Sequence, residues 1–417
     1  MKNIHWITTL AWVLLAPLMQ LEAIAESPIR PGDHIAIVGN TFADQLRVHG
    51  YLETLLLQHS PDNPVSIRNL GWGGDMLSAR DRPTNFPSEQ STLSDHQTDV
   101  IIACFGMGES FAGEHALEPF RKQLTAFIAS HAGLQYNGKS DVRLILVSPI
   151  ACEDLGNLTP KRDQRNNDLA AYTSVMRDVA DNASVPFVDL FEPSLYLMNE
   201  SAGPNLTQNG IHLNPFGYWA LSRSFYRQLI VDEDGQALQP WLLRLDANAV
   251  SNESTGVAIT HLQVEPSGLS FDATETSLPS LPPPSDQTLP PQLDFQRDQL
   301  VVKNLKPGTY QLTIDGHPVT SAKSNEWADG IAIDHSPAHR ELEAYREAVN
   351  DKNLQFVYSW KALNQVHIVG ERKRSPSGRA LPNEVIEFNE LAKQRDAAIR
   401  QPLPRKTRRW QLTRIKN

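Results

Sequence analysis

Between residues 33 and 230, short apolar runs alternate with longer segments whose apolar positions recur with the period of a helix. The apolar runs predict strands over residues 34–38, 65–69, 100–105, 142–148 and 185–189. The longer segments predict helices over residues 41–58, 111–129, 166–182 and 215–229. Strands that alternate with helices in this way are typical of a parallel sheet with helices on both faces. The pattern therefore predicts a three-layer α/β/α sandwich, in which functional residues gather at the carboxyl ends of the strands.

The pattern changes after about residue 235. Residues 257–264 and 299–314 have the composition of strands, and Lys306-Pro307-Gly308 predicts a turn within the second run. A proline-rich stretch at residues 279–291 separates the two runs and is unsuited to regular structure. We therefore predict a small β-rich module over residues 236–325 that carries a proline-rich insertion.

Residues 326–417 are predicted to form a helical segment with a basic tail. Helical, charged patterns cover residues 337–350 and 384–400, and we expect these helices to pack against the first domain. The tail contains six basic residues, which are Arg405, Lys406, Arg408, Arg409, Arg414 and Lys416. A solvated terminus is the favoured interpretation of this tail, and a binding site for a polyanion is the alternative.

The first 25 residues have the form of a secretory signal peptide. Lys2 precedes a largely apolar run over residues 7–18, and Ala23-Ile24-Ala25 has the small-x-small form of a cleavage site. The apolar run is too short to span a membrane, and no later segment is apolar enough to do so. We therefore expect the mature chain to start near Glu26, to be exported to the periplasm or secreted, and to form its first domain over residues 26–235.

Length, charge and cysteine content narrow the possible functions. A chain of 417 residues exceeds one ordinary core, so two or three domains are expected. The net charge of −10 is spread along the chain, which argues against a nucleic-acid partner. The two cysteines, Cys104 and Cys152, are too few for a finger-like metal site. An oxidising compartment would permit a disulfide between them, and two buried thiols on neighbouring strands are the favoured alternative.

Four short motifs follow predicted strands or precede the last predicted helix of the first domain. They are Gly39-Asn40-Thr41, Asn69-Leu70-Gly71-Trp72-Gly73-Gly74-Asp75, Gly106-Met107-Gly108-Glu109 and Asn209-Gly210-Ile211-His212. In this order and at this spacing they resemble the sequence blocks of the SGNH/GDSL hydrolases, which have a flavodoxin-like α/β/α fold. The resemblance covers about residues 39–212. It implies an ester hydrolase that needs neither a metal nor an organic cofactor.

The resemblance also implies a role for individual residues of the motifs. Thr41 takes the position of the nucleophilic serine, and His212 takes that of the general base. Gly74 matches the glycine whose backbone N–H helps to bind the oxyanion. Gly108 replaces the asparagine whose side-chain amide is the other donor, and Asn209 replaces the aspartate that orients the histidine. The implied oxyanion donors are then the backbone N–H groups of Thr41, Gly74 and Gly108.

Three of these residues weaken the expected chemistry. The extra methyl group of Thr41 stiffens the side chain and crowds the attack. Gly108 has no side-chain donor, and the loss of one such donor typically costs about 10²–10³ in rate. Asn209 can accept a hydrogen bond from the imidazole but cannot neutralise imidazolium, and the corresponding change in a serine protease lowers turnover by about 10⁴. Two functions therefore stay open: an exported hydrolase of esters of small molecules or glycans, and an inactive scaffold that binds a glycan or a protein partner.

Four further residues in or near the motifs have two interpretations each. Trp72 lines the substrate cleft or packs in the interior, and the sequence favours neither. Asp75 and Glu109 are expected to tie loops together rather than to act as the paired carboxylates of a glycosidase. Asp189, at the end of the last predicted strand, is expected to cap the following turn, and orientation of His212 is the alternative.

Overall fold

A computed structural model describes residues 27–83, 86–199, 203–230, 238–248, 251–284, 297–362 and 374–415. The predicted signal peptide, residues 1–25, lies outside the described residues. Residues 285–296, which include the end of the predicted proline-rich insertion, also lie outside them. None of the helices in the described ranges is long and apolar enough to cross a membrane.

The first domain is the predicted α/β/α sandwich. Its strands are β1 (His34–Gly39), β2 (Ser66–Asn69), β3 (Val100–Cys104), β4 (Arg143–Val147) and β5 (Phe187–Val188). Its helices are α1 (Thr41–His49), α2 (Tyr51–His59), α3 (Glu89–Asp95), α4 (Leu117–His131), α5 (Arg162–Ala183), α6 (Phe191–Asn199) and α7 (Pro215–Leu229). All five strands are parallel, in the order β2-β1-β3-β4-β5. Alternate residues of β1 face two separate apolar clusters, as expected for a sheet covered on both faces.

One predicted helix of this domain is two helices in the structure. The prediction of a single helix over residues 41–58 is wrong because Gly50 separates α1 from α2 with a left-handed φ of 65°. The left-handed φ favours glycine at this turn, and a Cβ atom there would lie 2.2 Å from Asn350 Oδ1, so the Asn350 side chain would have to move. Helix α4 begins at Leu117 rather than at residue 111, because two short 3-10 turns precede it on either side of Gly113.

The second half of the chain contains two small sheets. One consists of β6 (Leu242–Asp246), β7 (Ser251–Thr255), β10 (Gln299–Lys303) and β13 (Ile331–Ala332), in the order β13-β10-β6-β7. The other consists of β8 (Val257–Glu265), β9 (Gly268–Glu275), β11 (Thr309–Ile314), β12 (His317–Lys323) and β14 (Thr407–Ile415), in the order β12-β11-β14-β9-β8. Leu243 and Leu300 of the first sheet share one apolar cluster with Phe271 and Leu312 of the second, and α8 (Ser324–Asp329) adds Trp327 to it. The two sheets therefore pack around a common core.

The predicted basic tail is largely a strand, which corrects the interpretation of residues 405–416. Strand β14 lies between β11 and β9 in the middle of its sheet. Its alternate residues Arg408, Trp410 and Leu412 are buried. The Arg408 guanidinium is neutralised by Glu275 at 2.7 Å and by Glu341 at 2.8 Å. The charged residues of β14 obscure its two-residue period of apolar positions in the sequence. The Arg408 cation can be buried because carboxylates that are distant in sequence neutralise it.

Two long helices connect the β-rich half with the first domain. They are α9 (Pro337–Trp360) and α10 (Pro376–Ile399), which pack on each other, and α9 also contacts α1, α2 and β2. Lys352 of α9 is fully buried, pairs with Glu53 of α2 and donates a hydrogen bond of 2.8 Å to Ile67 O of β2. Asn353 donates to the same Glu53 carboxylate at 2.7 Å. These paired buried groups fix α9 on the first domain.

Candidate active site

A cavity of about 340 Å³ lies at the carboxyl ends of the central strands of the first domain. Thr41, Gly74, Gly108 and His212, one residue from each motif, line this cavity. Apolar side chains form much of the remaining wall, namely those of Met76, Met107, Phe111, Ile150 and Ile211. The structure thus brings together residues that are widely separated in sequence and that carry hydroxyl, imidazole and backbone N–H groups.

A tight strand-to-helix turn holds Thr41 at the cavity. Gly39 ends β1 with φ 128°, and a Cβ atom there would lie 2.1 Å from Cys104 O of β3, so only glycine fits. Asn40 caps α1, because its Oδ1 accepts a hydrogen bond of 3.0 Å from a backbone N–H of the first turn. Thr41 begins α1, and its Oγ1 accepts a hydrogen bond of 3.2 Å from Gly74 N.

The loop that carries Gly74 packs closely on the start of α1. The Asn69 amide donates a hydrogen bond of 2.7 Å to Ala43 O and accepts one of 2.8 Å from Gly71 N. A Cβ atom at Gly71 would lie 2.4 Å from Asp44 N, so a larger residue would push the loop away from the helix. This packing sets the Gly74 N–H beside the Thr41 hydroxyl, where an oxyanion donor would be needed.

Gly108 contributes only its backbone to the cavity. A Cβ atom at this position would lie 2.7 Å from Met76 Cγ and 3.0 Å from Met76 Sδ. The Met76 side chain therefore fills the space into which a side chain at residue 108 would extend. Residue 108 thus has no side-chain donor, and Met76 occupies the space that such a side chain would need.

Asp75 and Glu109 tie loops together, as expected from the sequence. The Glu109 carboxylate accepts hydrogen bonds from Gly106 N at 2.8 Å and from Leu77 N at 2.9 Å. Burial raises the pKa of this carboxyl group. Asp75 is buried and pairs with Arg82 at 2.6 Å. Each carboxylate is occupied by contacts that hold the cavity loops in place.

Glu153, which belongs to none of the sequence motifs, anchors the loop that carries His212. Its buried carboxylate accepts hydrogen bonds from Leu206 N at 2.8 Å, from Thr207 N at 2.7 Å and from Thr207 Oγ1 at 2.5 Å. Its backbone N–H donates to Gly210 O at 2.9 Å. The signal in the sequence is an acidic residue just after the apolar run of β4, but its partners lie more than 50 residues away.

The side chain of Asn209 determines which nitrogen of His212 carries the proton. Asn209 Oδ1 accepts hydrogen bonds from His212 N at 3.0 Å and from Ile211 N at 3.3 Å, which orients the amide. Asn209 Nδ2 then faces His212 Nδ1 at 3.0 Å. Because an amide nitrogen only donates, Nδ1 accepts, and the neutral imidazole carries its proton on Nε2. In this tautomer His212 is a hydrogen-bond donor at Nε2 rather than a base.

Ser148 and Cys104 also line the cavity, and the Ser148 hydroxyl is held by a hydrogen bond of 3.0 Å that it donates to Pro149 O. Cys104 lines the cavity, but burial raises the pKa of its thiol, which stays protonated at neutral pH. Cys104 and Cys152 are both buried and free, so they are the two thiols that the sequence favoured over a disulfide. Within the described ranges, no hydrogen bond joins Thr41 and His212 directly.

Two residues that the sequence singled out lie away from the cavity wall. Trp72 packs edge-on against Phe86, with ring centroids 5.7 Å apart, and against Trp360 at 5.4 Å. Asp189 caps α6, because its Oδ1 accepts hydrogen bonds from Phe191 N at 2.8 Å and from Glu192 N at 3.2 Å. The structure therefore assigns Trp72 to packing, and it bears out the capping interpretation of Asp189.

The described residues include no group of three or more His, Cys, Asp or Glu side chains that could hold a metal ion.

A family model for the GDSL-like lipase/acylhydrolase family matches residues 32–220. A search of curated proteins finds no match to the chain. Among solved structures, the gut microbial diltiazem-metabolizing enzyme BT4096 is 16% identical, with a TM-score of 0.68 over 94% of this chain and 99% of its own. Axe2, an acetylxylan esterase from Geobacillus stearothermophilus, is 16% identical, with a TM-score of 0.38 over 49% of this chain and 97% of its own. The similarity to BT4096 shows a common fold that extends over both halves of the chain.

Proposed function

Because residues 32–220 belong to the GDSL-like lipase/acylhydrolase family, we propose that this protein hydrolyses ester bonds at the cavity lined by Thr41 and His212. The observation that carries the proposal is the convergence of one residue from each motif on this cavity, with the Gly74 N–H directed at Thr41 Oγ1. Nucleophile, base and oxyanion donors are the groups that acyl transfer requires.

The proposed reaction begins with attack of Thr41 Oγ1 on the acyl carbon of the bound ester. The hydroxyl proton passes to His212 Nε2 and from there to the oxygen of the leaving alcohol, whose bond to the acyl carbon breaks. The backbone N–H groups of Thr41, Gly74 and Gly108 bind the oxyanion. Water then attacks the acyl group on Thr41 with the same base, which releases the acid and restores the hydroxyl.

The hydrogen bond between Asn209 and His212 makes a slow reaction the expected one. His212 Nε2 can take a proton only after the Asn209 amide turns its oxygen towards Nδ1–H. This rotation of the amide would place its NH₂ group next to the two backbone N–H groups that now donate to Oδ1, so donors would face donors. In a serine protease, the asparagine variant with this kind of tautomer turns over about 10⁴-fold more slowly.

The proposed substrate is an ester with a short acyl chain, in a small molecule or a glycan. A volume of about 340 Å³ lies near the lower end of the range of about 300–1,000 Å³ that ligand cavities span. The apolar wall that includes Met107 and Ile150 suits an acyl chain. The proposal of a glycan ester has its support in the expected export and in the appended β-rich half.

A second function, binding without catalysis, is favoured by the tautomer of His212. With its proton on Nε2, the imidazole can donate a hydrogen bond to a ligand in the cavity, and Thr41 and Gly74 offer further polar groups. In this alternative the domain recognises a glycan or a protein partner through the same cavity and turns over no ester.

Replacement of Thr41 by valine distinguishes the two functions. Valine removes the hydroxyl at nearly constant volume, and water can reach the Gly74 N–H that it leaves unpaired, because this hydrogen bond is solvent-exposed. If Thr41 is the nucleophile, Thr41→Val should abolish hydrolysis of 4-nitrophenyl acetate and of acetylated sugars, and Thr41→Ser should retain or raise it.

Two outcomes of this experiment would contradict the proposal. Equal activity of wild type and Thr41→Val would show that Thr41 is the wrong nucleophile. If wild type hydrolyses none of these esters, the binding function replaces the proposed one.

Export is also proposed, on the support of Lys2, the apolar run over residues 7–18 and the Ala23-Ile24-Ala25 site. Intact-mass spectrometry of protein recovered from the periplasm or the medium should give a chain that begins near Glu26. A recovered chain that still begins at Met1 would contradict the proposal.

A further inference from the structure

Phe111 is an exposed aromatic side chain that also lines the cavity at Thr41. Its exposed fraction is 64%, although large apolar side chains usually contribute to a core. Neither the sequence motifs nor the proposed chemistry gives Phe111 a role. An apolar ring that is both exposed and part of a cavity wall is typical of a surface that contacts a ligand.

The protein holds this ring in one place. Phe111 lies in a short 3-10 turn, Glu109–Ala112, whose Ser110 is fully buried. Arg165 donates hydrogen bonds of 2.8 Å to Met107 O, just before the turn, and of 2.7 Å to Ser110 Oγ, within it. Its guanidinium carbon lies 3.7 Å from the centroid of the Phe111 ring.

These contacts leave one side of the ring available. Arg165 covers one face of Phe111, so the exposed area belongs to the other face and the edge. A ring that is fixed before a ligand arrives loses little conformational freedom on binding. The ring therefore offers a flat, preorganised apolar surface at the rim of the cavity.

We propose that Phe111 forms a subsite for a ring in the alcohol half of the ester, such as the apolar face of a sugar or an aromatic ring. This inference rests on the proposed function, because that function sets the acyl carbon at Thr41 inside the cavity. The alcohol half then extends towards solvent, past the rim where Phe111 lies. Stacking on aromatic side chains is tolerant of the identity of the ring and strong enough to affect specificity.

Three acetate esters with different alcohols test this subsite: ethyl acetate, phenyl acetate and a monoacetylated methyl xyloside. The acyl group is the same in all three. Differences between the esters in the ratio of wild-type to variant kcat/KM therefore report contacts with the alcohol. Phe111→Ala should lower kcat/KM for the two esters with a ring by about 3- to 10-fold more than for ethyl acetate, mainly through KM. Phe111→Leu, which keeps apolar bulk without a flat face, should lose nearly as much.

Leu158→Ala serves as the matched control, because Leu158 is 73% exposed and lies outside the wall of the cavity. It should leave all three ratios unchanged. A loss for phenyl acetate alone assigns the subsite to aromatic rings, and a loss for the xyloside alone assigns it to sugars. An equal loss for all three esters, or no loss for any of them, overturns the subsite.

If wild type hydrolyses none of the esters, the proposed function fails and the subsite is tested by binding. Saturation-transfer NMR with methyl xyloside and benzyl alcohol should then show contact with wild type that Phe111→Ala reduces. Contact that the substitution leaves unchanged, or no contact with wild type, overturns the inference.

Discussion

The orientation of one amide, at the scale of single residues, decides what His212 is able to do. Asn209 differs from aspartate by an NH₂ group in place of an oxygen, and this group reverses the direction of the hydrogen bond to His212 Nδ1. The backbone donors on Oδ1 keep the amide in this orientation. The imidazole lies in the wall of the cavity, but its proton is on the nitrogen that a base would need free.

Replacement of Asn209 by aspartate should raise kcat on a short-chain ester. Aspartate accepts Nδ1–H and leaves Nε2 unprotonated, so the expected gain lies between about 10-fold and 10⁴-fold. Imidazole ¹⁵N NMR should show the proton on Nε2 in wild type and on Nδ1 in Asn209→Asp.

Gln208→Glu is the control for this prediction, because it adds the same charge on an exposed neighbouring residue. A similar gain in Gln208→Glu would attribute the effect to charge rather than to the tautomer. A wild-type spectrum with the proton already on Nδ1 would contradict the assignment directly.

The packing of Met76 against Gly108 leads to a prediction about two substitutions together. Gly108→Asn alone should give little gain in kcat, because the new side chain meets Met76. Gly108→Asn combined with Met76→Ala opens the space for the amide to reach the oxyanion, and the gain should approach about 10²–10³. Steady-state kinetics of both single variants and the double variant measure the coupling. If Gly108→Asn alone equals the double variant, Met76 does not control this space.

At the scale of elements, α7 and β14 differ in how far local signals define them. Helix α7 spans residues 215–229, as the sequence predicts, because Asn214 caps it and Pro215 begins it. Strand β14 has no comparable signal, since Arg408, a charged residue, occupies one of its inward positions. Its pairing with β9 and β11, more than 90 residues earlier, makes it a strand.

A buried Ser-His-Asp arrangement at the start of α9 illustrates why residue types alone do not make an active site. Ser336 Oγ lies 2.7 Å from His339 Nδ1, and His339 Nε2 lies 3.0 Å from Asp298 Oδ2. All three side chains are buried, with at most 1% exposed. Ser336 caps α9, and the Asp298 carboxylate also accepts from Trp241 N at 2.8 Å. This arrangement joins α9 to the β-rich half and has no opening to a substrate.

The docking of α9 on α2 leads to a prediction about stability. Lys352→Met should lower the free energy of unfolding by about 3–5 kcal/mol, because it leaves the buried Glu53 carboxylate without its cation. The double variant Lys352→Met/Glu53→Leu should recover much of this loss, since neither charge then remains buried. Urea unfolding at neutral pH measures both values.

Lys393→Met is the matched control for this prediction. The Lys393–Glu390 pair is more than half exposed, so its loss should cost at most about 1 kcal/mol. A Lys352→Met variant as stable as the control would mean that the buried pair does not hold α9 in place.

At the scale of the whole molecule, the path of the chain ties the two halves together. The chain leaves the β-rich half after β13, forms α9 and α10 against the first domain, and returns as β14 to the middle of a sheet. His339 joins the start of α9 to the β-rich half, and Lys352 joins its middle to the first domain. The structure of BT4096 has this fold over 94% of the present chain, so the halves are arranged alike in both proteins.

The sequence by itself determines the parallel α/β domain and the edge of the sheet at which the cavity lies. Strand and helix periods, helix caps and glycine turns act between neighbouring residues, so they can be recognised without knowing the fold. The same local information brings Thr41, Gly74, Gly108 and His212 to one edge, because each follows a strand or precedes a helix.

Only the tertiary structure decides which atoms meet at that edge. It turns the Asn209 amide towards His212, fills the space beside Gly108 with Met76, and packs Trp72 away from the cavity. It also makes a strand of β14 through partners that lie far away in sequence. Hydrogen-bond direction and side-chain packing depend on contacts between distant residues at a scale of tenths of an ångström, and no local period encodes such contacts.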